Sequence, residues 1–393
     1  MTDPAATPGA VAAVAGAARL LSRRAGSDVE LSAPEDLGGS GSSVVARARM
    51  GQNPFSDRRS VVVKHYRDDP GVADPFRYEV ASCQLFTALP SDVRPSPVII
   101  AHDPDQRLLV LEDLGRSSTL ADKLFGPDGD AARHCLLGWA RGLGRMQAAT
   151  AGREGDFGAL LRRLGEKVRR DPIADQARAA LAGLPDLLGE ALGVTVPEMA
   201  VPEAHAGVRL LGGTGFRAFS PSDTCPDNNL VTSRGVRFVD FEWGAFRDVV
   251  LDAAYVRVPF PGCAASFALP PGAADQMLDA WRTEVTPVWP ELDDPDVLRS
   301  RLADAQLLWV WWSSWQLLPR LLLRDGPIGP DAGRSPRIST AVRHYWRGLA
   351  ETARATGRPA TAELAAAVVG ALEERFPDAP SELPVFPAFR SGH

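Results

Sequence analysis

The chain has 393 residues, 45% of them apolar and 23% charged, with a net charge of −6 and a pI near 5.6. These values suit a folded domain and exclude a collagen-like, coiled-coil or globally disordered chain. The acidic balance also argues against nucleic acid as a partner. Only three of the 43 basic residues are lysines: Lys64, Lys123 and Lys167. Arginine can replace lysine almost anywhere on a surface, but not where a compact ammonium is needed rather than a planar fork, so each lysine marks a position to inspect.

The four cysteines, Cys83, Cys135, Cys225 and Cys263, are scattered, with no CxxC pair and no histidines at zinc spacing. They read as reduced thiols of a cytoplasmic protein. An Ala-rich stretch from Ala5 to Ala18 follows Asp3 and precedes Arg19, Arg23 and Arg24, the wrong polarity for a secretory signal. The apolar run Leu307–Leu318 is too short to span a bilayer, so no membrane partner is expected.

In chain order, residues 5–24 read as a short amphipathic helix. Val29–Leu31, Val44–Ala48 and Val61–Lys64 read as strands, the last two joined by a polar loop. Asp74-Pro75 opens a helix, with Asp as its N-cap and Pro in its first turn. Val98–Ala101 and Leu108–Leu111 are two further strands, giving a mostly antiparallel sheet with one inserted helix. Beyond Gly115 the pattern is largely helical: 136–149, 157–169, 174–192, 272–285, 295–324, 336–356 and 361–375. A strand-like island at 217–241 interrupts it, with a hairpin turn at Ser233-Arg234-Gly235.

Three constellations carry chemistry. Gly38-Gly39-Ser40-Gly41-Ser42 lies between two expected strands, where backbone amides can cradle a phosphate or simply close a hairpin. Lys64 ends the Val61-Val62-Val63 run, and Glu79 on the following helix is its candidate carboxylate partner. In the third, Asp223 and Asn228 precede a short hairpin and Asp240 follows it, a set able to orient a hydroxyl and ligate Mg²⁺. A charge directly after an apolar strand, as at Asp240, is costly without a partner.

These residues, in this order, resemble the aminoglycoside phosphotransferase and choline kinase group, small-molecule relatives of the protein kinases. The group's His-Gly-Asp-x-x-x-x-Asn loop is matched by Asp223 and Asn228, its metal motif by Asp240-Phe241-Glu242, and its downstream aspartates by Asp248 and Asp252. Lys64 and Glu79 match the phosphate-binding lysine and its helix partner, and Val110-Leu111-Glu112-Asp113-Leu114 looks like the hinge that meets the nucleobase. Two departures stand out: Pro221 replaces the loop histidine, and Arg247 replaces the glycine before Asp248.

The resemblance implies an α+β, two-lobed protein-kinase-like fold. Its N-terminal nucleotide-binding lobe is expected over residues 1–112, and a larger, mostly helical lobe with the catalytic loop and substrate pocket over residues 113–393. It implies ATP or GTP and Mg²⁺ as cofactors, Asp223 as the catalytic residue, and Asn228 and Asp240 as metal ligands. Gly38, Gly39, Ser40, Gly41, Ser42, Lys64, Glu79, Glu112 and Leu114 would bind the nucleotide. The implied acceptor is a hydroxyl of a small molecule: an antibiotic such as an aminoglycoside, or a metabolite such as choline, a sugar or an amino alcohol. A catalytically inactive, nucleotide-binding kinase fold is the alternative that Pro221 raises. A protein kinase is disfavoured, because the interval between Asp240 and Asp252 leaves no room for an activation segment.

Overall fold

A computed structural model of the chain describes residues 7–39, 43–52, 57–67, 74–166, 171–261 and 263–390. It divides into two compact units. The first comprises residues 1–117, 155–170 and 237–244, and the second comprises 118–154, 171–236 and 245–393.

The first unit begins with helix α1 (Pro8–Ala25), capped by the Thr7 side chain. Strands β1 (Leu31–Gly38), β2 (Ser43–Met50) and β3 (Ser60–Tyr66), helix α2 (Pro75–Thr87), and strands β4 (Ile99–Asp103) and β5 (Leu108–Glu112) follow. The five strands form one antiparallel sheet in the order β1-β2-β3-β5-β4. The start of α2 follows directly from its residues: the Asp74 carboxylate accepts the Phe76 N–H, and Pro75 occupies the first turn. Strand alternation then sorts β3. Val61 and Val63 join Ala10, Ala13, Val14 and Ala17 of α1 in an apolar cluster, whereas Lys64 and Tyr66 both reach Glu79 of α2.

In the second unit, β6 (Ser118–Thr119) and the short α3 (Leu120–Leu124) lead into α4 (Gly129–Thr150). Helices α5 (Glu154–Arg163), which passes into the first unit after Glu154, α6 (Pro172–Leu192) and α7 (Ala200–Val208) follow. Four short strands come next: β7 (Arg217–Ser220), β8 (Asn229–Thr232), β9 (Gly235–Phe238), which passes into the first unit after Val236, and β10 (Ala245–Asp248). The turn before β9 is made possible by Gly235, whose φ is 95°. The unit closes with α8 (Val250–Ala253), α9 (Ala273–Val285), α10 (Pro295–Leu323), α11 (Ile338–Ala355) and α12 (Pro359–Arg375).

The 29-residue α10 packs against α6, α7 and α11, and buries Trp309 and Trp311. Trp309 and Trp311 are therefore core, while Trp312 and Trp315 on the same helix are half-buried. At the start of α10 the Asp294 side chain caps the Asp296 N–H. The expected fold class is the one observed: an antiparallel N-terminal sheet with one helix inserted between its strands, and a larger helical remainder. No helix among the described residues is long and apolar enough to cross a membrane.

Candidate active site

In the first unit, three segments distant in sequence meet at Lys64. Its ammonium, on β3 and only 5% exposed, donates to Glu79 Oε2 at 3.1 Å and to Asp240 Oδ1 at 2.5 Å. Glu79 is itself 1% exposed and accepts two more hydrogen bonds, from the Tyr66 hydroxyl at 3.0 Å and the Phe241 N–H at 2.9 Å. The Phe241 ring packs on Phe86 with centroids 4.9 Å apart. Thus one carboxylate ties strand, helix and the Asp-Phe-Glu segment together.

Burial opposes the Lys64 charge, but Glu79, Asp240 and Glu242 outweigh it and raise its pKa above the ordinary value. Burial also raises the Glu79 carboxyl, with Lys64 pulling it back toward ionisation. Such a charge set is stable only while its partners stay paired. Asp240 keeps 29% of its side chain exposed and holds a φ of 66°, unusual for a residue with a Cβ.

The glycine segment is in part visible. Gly38 and Gly39 close the β1–β2 hairpin with φ of 91° and 143°, and a Cβ on Gly39 would lie 2.5 Å from the Ser43 carbonyl oxygen. Only glycine fits there. Ser40, Gly41 and Ser42 lie outside the described residues. At the end of β5, the Glu112 side chain accepts the Val98 N–H, and the Leu114 carbonyl accepts from the Ser117 hydroxyl. Asp113 between them is paired with Arg47, which also donates to the Gly115 carbonyl.

The second unit holds Asp223 and Asn228. Asp223 follows a tight turn in which its own N–H returns to the Pro221 carbonyl at 2.8 Å across Ser222, whose φ is 61°. Asp223 Oδ1 accepts the Cys225 N–H at 3.3 Å. Asn228 ends a 3₁₀ turn, donating its N–H to the Cys225 carbonyl, and Asn229 next to it is fully buried.

Beneath the turn lies a buried polar network. Arg247 on β10 forks onto Asp171, the N-cap of α6, at 2.8 and 2.6 Å. Its third nitrogen donates to the Ser220 carbonyl, the Ser220 hydroxyl and the Ser222 hydroxyl. Asp252 accepts from Ser220 Oγ at 3.0 Å and Gln147 Nε2 at 3.2 Å. Burial raises its carboxyl to about 6 despite Arg247. Asp248 pairs with Arg301 and Thr214.

The sequence reading missed several of these groups. Tyr66 had a signal, its two-residue spacing from Lys64. Arg247 was noticed as a departure, but nothing local linked it to Asp171 or Ser222.

One expectation is overturned. The cysteines are not all reduced: Cys225 and Cys263, 38 residues apart, form a disulfide, while Cys83 and Cys135 are free and buried. Their pairing depends on the fold bringing the two backbones together, with Cα atoms 5.7 Å apart, which their spacing along the chain does not encode.

No family model and no curated protein matches the chain. Solved structures do. A choline kinase from Cryptosporidium parvum superposes with a TM-score of 0.51 at 11% identity, covering 86% of this chain and 93% of that one. A choline/ethanolamine kinase family protein from Mesorhizobium loti gives 0.46 at 16%, covering 86% and 93%. A thermostable mutant of aminoglycoside phosphotransferase APH(4)-Ia gives 0.46 at 14%, covering 86% and 99%.

Proposed function

We propose, on the premise of a fold shared with small-molecule kinases, that the chain transfers the γ-phosphoryl group of ATP or GTP to a hydroxyl of a small molecule. The observation that carries this reading is the buried Lys64–Glu79 pair with Asp240 on the same ammonium. A structural ion pair needs no second carboxylate from a distant segment of the chain. A phosphate-holding lysine beside a metal-binding aspartate does. In this reading Lys64 grips phosphate oxygens, and Glu79 fixes its direction while the Phe241 N–H holds Glu79.

Mg²⁺ suits the Asp240 carboxylate, a hard and partly exposed ligand whose charge, with that of Glu242, acts on Lys64; the resemblance adds the amide oxygen of Asn228. Asp240 and Asn228 would hold the ion, which when bound neutralises charge on the phosphates. Asp223 would take the acceptor hydroxyl's proton. Gly38 and Gly39 would let the backbone approach the phosphates, and the Glu112–Leu114 segment would meet the base through its backbone groups.

The test is ADP release across hydroxylated antibiotics, sugars and amino alcohols, with Asp223→Asn as the blank. Turnover with one acceptor class that vanishes in the variant supports the proposal. Full activity in Asp223→Asn would sink the assignment. Pro221, in place of the loop histidine, favours one second reading, a nucleotide-binding protein without turnover. ATP-dependent thermal stabilisation with no phosphorylated product would support that one instead.

A further inference from the structure

The structure assigns to Arg247 a positioning role: its guanidinium holds the turn that presents Asp223. This inference rests on the phosphotransferase reading only for the role of Asp223. The clamp itself is a statement about the loop.

The argument starts from the backbone. Ser222 occupies left-handed space at φ 61°, inside a three-residue turn closed from the Asp223 N–H to the Pro221 carbonyl. Three-residue turns with positive φ are strained, and a residue with a Cβ persists there only when its surroundings hold it. Ser222 is held at both ends. Arg247 donates to its hydroxyl, and the Tyr255 hydroxyl donates to its carbonyl. The position answers to the glycine of the His-Gly-Asp pattern, where positive φ would cost nothing.

Arg247 is itself held on several sides. It is fully buried on β10, which pairs with β7 so that Ala245 faces Ser220. Its fork onto Asp171 engages the N-terminus of α6 through the carboxylate that also accepts the Ile173 and Ala174 N–H groups. Burial works against the Asp171 charge, yet Arg247 brings its carboxyl below the ordinary value. A helix start, a strand and the loop are thereby joined by one planar cation, a geometry a lysine cannot span.

Three variants and two readouts test this. Ser222→Ala removes one acceptor and no charge. Arg247→Lys keeps a charge near Asp171 and Asp252 but cannot fork. Arg247→Met removes both functions, and the two milder variants keep the test readable if it fails to fold. Hydrogen exchange is followed at amides 222–229, with α9 and α11 as internal controls. Ser222→Ala and Arg247→Lys should each speed exchange of the 222–229 amides at least about tenfold, the scale of one hydrogen bond to a charged group, with α9 and α11 unchanged. With the best acceptor found, kcat should fall by about the same factor while the KM for nucleotide stays constant. Native exchange at 222–229 in both variants would overturn the clamp. Faster exchange with unaltered kcat would overturn its positioning role. If the native chain turns over no acceptor while the variants still loosen the loop, the phosphotransferase reading fails and the clamp stands.

Discussion

The Lys64 cluster and the Asp223 loop are stabilised in opposite ways. At Lys64, two carboxylates surround one buried ammonium, and geometry follows from charge. At Asp223, the backbone is bent through an unfavourable φ, and an arginine, a tyrosine and a hydroxyl network hold it there. The first arrangement is local to residue types and fails by electrostatics. The second is local to nothing in the chain and fails by loosening. The comparison teaches that, on the proposed reading, the holding of nucleotide and the activation of an acceptor can be damaged separately.

The largest effects should come from the charged cluster. Asp240→Ala is expected to abolish Mg²⁺-dependent stabilisation by nucleotide and to cut turnover by about a thousandfold or more, on the scale of lost charge stabilisation at a phosphoryl site. Thermal shift with and without Mg²⁺ reads the first effect, and product formation the second. Lys64→Met leaves Glu79 buried beside Asp240 without its cation and should cost about 3–5 kcal/mol of stability. Denaturant unfolding measures it, and the added change Glu79→Gln should recover part of the loss. If Lys64→Met were as stable as the native chain, charge would not be what organises this region.

The loop side should respond more mildly. Opening the Cys225–Cys263 bridge, by Cys263→Ser or by a dithiol reductant, releases a 38-residue closure and should lower stability by about 2–4 kcal/mol. Nucleotide binding should persist. Unfolding curves with and without reductant check this, and identical curves would show that the bridge is not formed in solution.

The smallest effect is a pH dependence from Asp252. Burial, opposed by Arg247, puts its folded carboxyl near 6, above the 3.8 of an exposed aspartate. Between about pH 4 and pH 6 the folded state therefore retains a proton that the unfolded state has lost. Stability from this group is complete below about pH 4 and is lost as pH rises through about 6. Asp252→Asn should flatten that limb of the stability–pH curve.

The same contrast explains what was legible in the sequence. The start of α2 was readable because Asp74-Pro75 acts on its own first turn. Lys64 was readable because a chain almost without lysines kept one at the end of an apolar strand, and Glu79 lay on the next helix. Strand β10 was missed because its partner β7 lies 25 or more residues upstream in chain order. The Arg247–Asp171 fork spans 76 positions and the disulfide spans 38, so only tertiary structure could join them. Strand β1 was placed too early because its side chains are mostly polar and carry no alternating apolar signal.

The central claim is that Asp223 activates the acceptor while the Lys64 cluster holds the nucleotide. Its most direct measurement compares the native chain with Asp223→Asn, titrating ATP·Mg²⁺ by calorimetry and following ADP release with the best acceptor. The account predicts equal nucleotide affinity and a fall in turnover of about a hundred- to ten-thousandfold, the range of a lost general base. Undiminished turnover in the variant, or a native chain that binds no nucleotide, would contradict it.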